Sequence, residues 1–101
     1  MAGGSGYAGK PRPVVIVQDD AFAERDSVTV CLISSSSTDL PVLRIPVEPT
    51  PENGLRKTSR LMVDKVTTVP RGTLGHRIGS LADADLLRLN RPLLVFLSLA
   101  R

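Results

Sequence analysis

The chain has no tryptophan, one tyrosine and two phenylalanines. Binders of single-stranded RNA that work by stacking need clustered rings, so a stacking platform is not the device here. One cysteine, Cys31, rules out an internal disulfide and fits a reducing compartment. One cysteine and one histidine, His76, fall far short of a zinc set. The acids do not fill the gap. Asp19 and Asp20 are adjacent and point to opposite faces of an extended backbone, while Asp83 and Asp85 suit the first turn of a helix. No metal and no cofactor are therefore expected. No apolar run approaches the roughly 18 residues of a membrane span, and the opening residues do not read as a signal peptide. The expected location is the cytoplasm.

What is present makes one small domain over residues 1–101. A domain of this size buries only about two-thirds of its unfolded surface, so dimerisation is a natural supplement. Thirteen basic residues against ten acidic give a formal +3, which suits a polyanionic partner without requiring one.

Taken in order, residues 1–9 read as a glycine-rich loop or arm. Pro13–Gln18 is apolar on both faces and predicts a central strand. In Ser27–Ser34, Val28, Val30 and Leu32 alternate with polar or small residues, a strand signal. The hydroxyl-rich run from Ser34 to Thr38 predicts a loop. Pro46 demotes Pro41–Glu48 to an edge or bulged strand. Pro51-Glu52-Asn53-Gly54 is a strong turn, Ser59–Val66 a further strand, and Gly75–Ile78 a short last one. Ser80-Leu81-Ala82-Asp83 resembles a capping box opening a helix over 82–99. Leu86, Leu87, Leu93, Leu94 and Leu97 supply its apolar spacing, and Pro92 is expected to kink it near Arg88. Such a set predicts a mainly β fold: a small, SH3-like antiparallel barrel with a C-terminal helix.

The most informative stretch is Lys10-Pro11-Arg12-Pro13-Val14-Val15-Ile16-Val17-Gln18-Asp19-Asp20. Two prolines fence Arg12 into extended backbone at the mouth of a strand. A guanidinium held there is either a surface arginine or a fork placed to meet a phosphate.

This stretch resembles the signature of the PemK/MazF family of toxin endoribonucleases from toxin–antitoxin modules. Val30-Cys31-Leu32-Ile33-Ser34-Ser35, Asn53-Gly54-Leu55 leading to Leu61-Met62-Val63-Asp64-Lys65, and Ile78-Gly79-Ser80-Leu81 follow in the family's order. The resemblance implies a sequence-specific, metal-independent mRNA endoribonuclease with a PemK/CcdB-like barrel. It implies attack by the ribose 2′-hydroxyl, with 2′,3′-cyclic phosphate and 5′-hydroxyl ends. Arg12 takes the catalytic arginine's place and Ser34 that of the family's hydroxyl residue, with Ser35 as its near rival. An arginine is a poor proton donor near neutral pH, so its larger contribution is clamping phosphoryl oxygens. The RNA-contact candidates are Tyr7, Lys10, Ser35, Arg56, Lys57 and Asp64; read from the residues alone, Lys10, Arg44, Arg56, Lys57 and Arg60 either line a phosphate track or are basic residues simply solvated in polar turns.

The same resemblance marks departures. Tyr7 stands where many members have a glutamate able to act as general base, and is either a stacking ring or a cover for the barrel. The family's first strand is expected to be missing. Asp64 is either an acid of the site or a strand-end ion pair with Lys65 or Arg60. His76 reads as a surface residue. The partners implied are single-stranded mRNA, a second copy of the chain, and an antitoxin with an acidic tail. Two alternatives remain: a CcdB-like poison of DNA gyrase, which relies on a C-terminal tryptophan that is lacking here, and a non-catalytic barrel binding RNA or protein.

Overall fold

The computed structural model describes residues 2–5, 11–35 and 43–98. Five strands, β1 (Ala2–Ser5), β2 (Pro11–Ile16), β3 (Ser27–Ser34), β4 (Arg44–Val47) and β5 (Ser59–Pro70), precede one helix, α1 (Asp83–Phe96). They form a single antiparallel sheet in the order β1-β2-β3-β5-β4. The mainly β architecture with a C-terminal helix is the one expected. Among the described residues no helix is long and apolar enough to cross a membrane.

Alternation sorts the strands into two faces. Val15, Cys31, Ile33, Ile45, Val47, Leu61 and Val63 form one buried cluster, which Leu81 and Leu89 join from the helical end of the chain. Val14, Val28 and Val30 form a second cluster on the other face. The helix packs on β4 and β5. Its Arg88 bridges Asp85 at 2.9 Å and donates to the Pro46 carbonyl at 2.6 Å, tying it to the edge strand.

Four expectations need correction. A first strand is present: Ala2–Ser5 pairs with β2 from Ala2 opposite Val14 to Ser5 opposite Pro11. Strand preference is carried by side chains, whereas this pairing rests on main-chain groups, so an Ala-Gly-Gly-Ser run gave no signal of it. Gly75–Ile78 is not a strand. Instead β5 runs on to Pro70 and pairs back to Ser27, so the start of β3 is already matched. The capping box does not form: Ala82 is the N-cap and supplies no side-chain bond. Ser80 instead accepts from the Arg77 guanidinium, and its N–H donates to the Glu52 carbonyl at 2.8 Å. Finally, the helix buries Leu89, with Leu93 partly covered, whereas Leu87, Leu94 and Leu97 are exposed. Spacing reports a stripe, but the sheet selects which stripe is buried.

The loop between β4 and β5 is set by one buried amide. Asn53 donates from Nδ2 to the Glu48 carbonyl at 2.9 Å, and its Oδ1 accepts from the Thr50 and Leu55 N–H groups at 3.0 and 2.9 Å. Gly54 follows at φ +70, where an added Cβ would lie 2.0 Å from the Ile78 carbonyl oxygen. Gly79 is also pressed against the same loop, its Cβ position 2.4 Å from the Glu52 carbonyl oxygen. The stretches around Asn53-Gly54 and Ile78-Gly79 are thus two halves of one clasp that carries the chain into β5.

Substituting Gly54 with Ala combines a left-handed backbone with a backbone clash and should cost about 1–3 kcal/mol or more. Gly72→Ala, where an added Cβ meets nothing within 4 Å, is the control. Urea unfolding should show a lower midpoint for Gly54→Ala alone, and equal midpoints would remove the clasp from the account.

Candidate functional site

Among the described residues the helix covers one face of the sheet and leaves the other largely open. On that open face a groove of about 480 Å³ is lined chiefly by Val14, Val30, Leu32 and Met62, with Arg12 and Lys65 among its lining. Arg12 is exposed. Its backbone belongs to β2, and Gly4 of β1 lies opposite.

Register brings the two expected catalytic residues together. In the β2–β3 pair the matched residues end at Val14 opposite Leu32, and the same register continued by two residues sets Arg12 level with Ser34. Alternation puts both side chains on the face that carries Val14 and Leu32. On its other side Ser34 pairs with Arg60 of β5, which in turn pairs with Pro46 of β4. Ser34 is half-buried and Ser35 lies exposed just past the strand end. Arg56 and Lys57 are exposed in the loop entering β5, at this same end of the sheet. Tyr7 and Lys10 lie outside the described residues.

The remaining acid is differently engaged. Asp64 forms an ion pair with Arg44, whose Nη1 also donates to the Leu43 carbonyl at 3.0 Å. The expected partners were Lys65 and Arg60. The difference comes from cross-strand geometry: Arg44 lies opposite Met62, so Asp64 is its diagonal neighbour on the same face. Burial alone would raise the Asp64 carboxyl. The Arg44 hydrogen bond, a backbone hydrogen bond and the charges of Arg44 and Lys65 outweigh it and hold the group below its ordinary value.

Other candidate groups are quiet. Burial pushes the Cys31 thiol up to about 11, so it stays protonated and is no nucleophile. His76 is exposed. Among the described residues no three His, Cys, Asp or Glu side chains gather as a metal site. Sequence reasoning missed the apolar groove and Lys65 at its edge. The hint available was Leu32, whose place in the alternation matches Ser34.

The Arg44–Asp64 pair generates a pH test. Because the folded carboxyl titrates lower than in the unfolded chain, the pair stabilises above the ordinary aspartate range near 3.9 and is lost as pH falls through the folded value. Asp64→Asn should therefore cost about 1–3 kcal/mol at pH 7. The gap from the parent chain should close in denaturant unfolding below about pH 4. A gap independent of pH would assign the loss to packing.

With this geometry in hand, comparison with known proteins is informative. A family model described as PemK-like, MazF-like toxin of type II toxin–antitoxin system matches residues 2–97. The chain is 58% identical over 94 residues to a probable endoribonuclease MazF of Mycolicibacterium smegmatis, covering 93% of this chain and 86% of that one. Among solved structures, Mycobacterium tuberculosis toxin MazF-mt6 is similar with a TM-score of 0.82 at 25% identity, over 100% of both chains. An endoribonuclease in complex with its cognate antitoxin, from a mycobacterial species, shares the fold with a TM-score of 0.79 at 20% identity, over 99% of this chain and 93% of that one. On the matching family model and the close relative, and with the helix-on-sheet fold in agreement, the chain belongs to the PemK-like, MazF-like toxins of type II toxin–antitoxin systems.

Proposed function

We propose that this chain, an endoribonuclease toxin by its family, cuts single-stranded mRNA at a short sequence without a metal ion. The observation that carries the reading is exposed Arg12 lining the groove on the face that also carries Leu32 and, by continuation of the Val14–Leu32 register, Ser34. A ribose 2′-hydroxyl attacks the adjacent phosphorus and the 5′ oxygen leaves, giving a 2′,3′-cyclic phosphate and a 5′-hydroxyl end. Arg12 holds the non-bridging oxygens while charge builds on them, a role suited to a group that keeps its proton. Ser34 donates a hydrogen bond to the same phosphoryl group. Ser35, Arg56 and Lys57 contact the RNA at the same end of the sheet, and Tyr7 and Lys10 belong to the same assignment by sequence. Asp64 acts indirectly, by fixing Arg44.

The reading includes a homodimer in the bacterial cytoplasm. It also includes an antitoxin whose acidic tail occupies the basic end of the open face, since opposite potentials steer such a segment there.

The test is cleavage of a long mixed RNA in EDTA, with primer extension to locate the cuts. The parent chain should cut at one short motif. Arg12→Ala should cut about 10²–10³-fold more slowly, the loss typical of one transition-state donor, with an unchanged thermal unfolding curve. Equal cutting by the variant would remove Arg12 from the mechanism.

A further inference from the structure

The row across the sheet holds a second arginine. Ser34 is flanked by Arg12 on β2, by continuation of the Val14–Leu32 register, and by Arg60 on β5, its direct partner. Residues opposite one another in an antiparallel pair share a face, so the two guanidinium stems and the hydroxyl project on the same side. That side is the open one. In β5, Ser59, Leu61 and Val63 are buried on the helix side while Arg60, Met62 and Asp64 alternate with them, and Met62 lines the groove.

We propose that Arg60 is a second phosphate-binding residue of the site, closing on the scissile phosphoryl group from the side of Ser34 opposite Arg12. The inference rests on the endoribonuclease reading above for the identity of the anion. Adjacent strands lie about 4.8 Å apart, so the Arg12 and Arg60 backbones stand about 10 Å apart with Ser34 midway. Two arginine side chains leaning inward from that separation reach one tetrahedral anion, and planar forks suit its oxygens. The other basic residues differ in placement. Arg44 stands on the edge strand β4, and Arg56 and Lys57 stand on a loop outside the strands. Arg60 stands on an interior strand, which fixes its base as firmly as any position in the sheet.

Ser34 and Arg60 each also have an interaction of their own within the chain. Loss of activity on truncation alone therefore does not separate anion contact from support of the fold, and the test reads the salt dependence of binding. A fluorescent mixed-sequence RNA built of 2′-O-methyl nucleotides, which lacks the attacking hydroxyl, is titrated at several KCl concentrations with the full chain. Arg60→Ala should weaken binding about tenfold at low salt and reduce the slope of log affinity against log salt by about 0.7, one phosphate contact on a single strand. Arg60→Lys should restore the slope but not the cleavage rate, since a point charge replaces a fork. Should Arg60→Ala fail to fold, Arg60→Gln takes its place. An unchanged slope in a folded variant overturns the proposal, whatever happens to stability. Absence of cleavage by the parent chain would overturn the nuclease reading, and the slope would still decide whether Arg60 meets a phosphate.

Discussion

A sheet has two faces, and the described residues supply one α-helix with which to cover them. The helix settles on β4 and β5, where Leu89 enters the larger cluster and Arg88 holds the Pro46 carbonyl. The opposite face is left with a smaller cluster around Val14, Val28 and Val30 and an open groove beside it. Everything chemically suggestive lies on that uncovered side. Alternation along β2, the end of β3 and the start of β5 makes this possible, since the residues that build the buried cluster direct Arg12, Ser34 and Arg60 the other way.

Several of the basic residues show why a net charge says little about function. Arg88 fastens the helix to an edge strand. Arg44 is held by Asp64. Arg77 braces Ser80 and the Gly79 carbonyl ahead of the helix. At the end of the sheet, Arg12 and Arg60 beside Ser34, with Arg56 and Lys57 on the adjoining loop, make a local concentration of positive charge. Such a concentration acts on a polyanion through proximity, which the formal total of +3 does not measure.

The clasp around Asn53 links these two themes. Its hydrogen bonds shape the loop that delivers Arg56, Lys57 and then Arg60, and the tight approach of Gly54 to Ile78 anchors that loop to the segment before the helix. A residue pair recognisable from sequence as a turn is therefore also a tertiary joint. The glycines are required by contacts between segments more than twenty residues apart, and the local turn alone needs only one of them.

Much was legible in advance. The alternation in Ser27–Ser34 located β3 to the residue, Pro46 marked β4 as an edge, and the leucine spacing located the helix. Each is a local rule, in which neighbouring side chains declare which way they point. The Arg-Pro corner followed by an apolar strand, with the ordered stretches after it, was enough to indicate the family and to single out Arg12 and Ser34. Other features were decided only when the chain folded: the strand at Ala2–Ser5, the use of Ser80 as an acceptor for Arg77, the choice of Arg44 as partner for Asp64, and the alignment of Arg12, Ser34 and Arg60. All four depend on which residue of one segment lies opposite which residue of another. Composition and periodicity describe a segment by itself, whereas register is a property of pairs, set by the whole sheet at once.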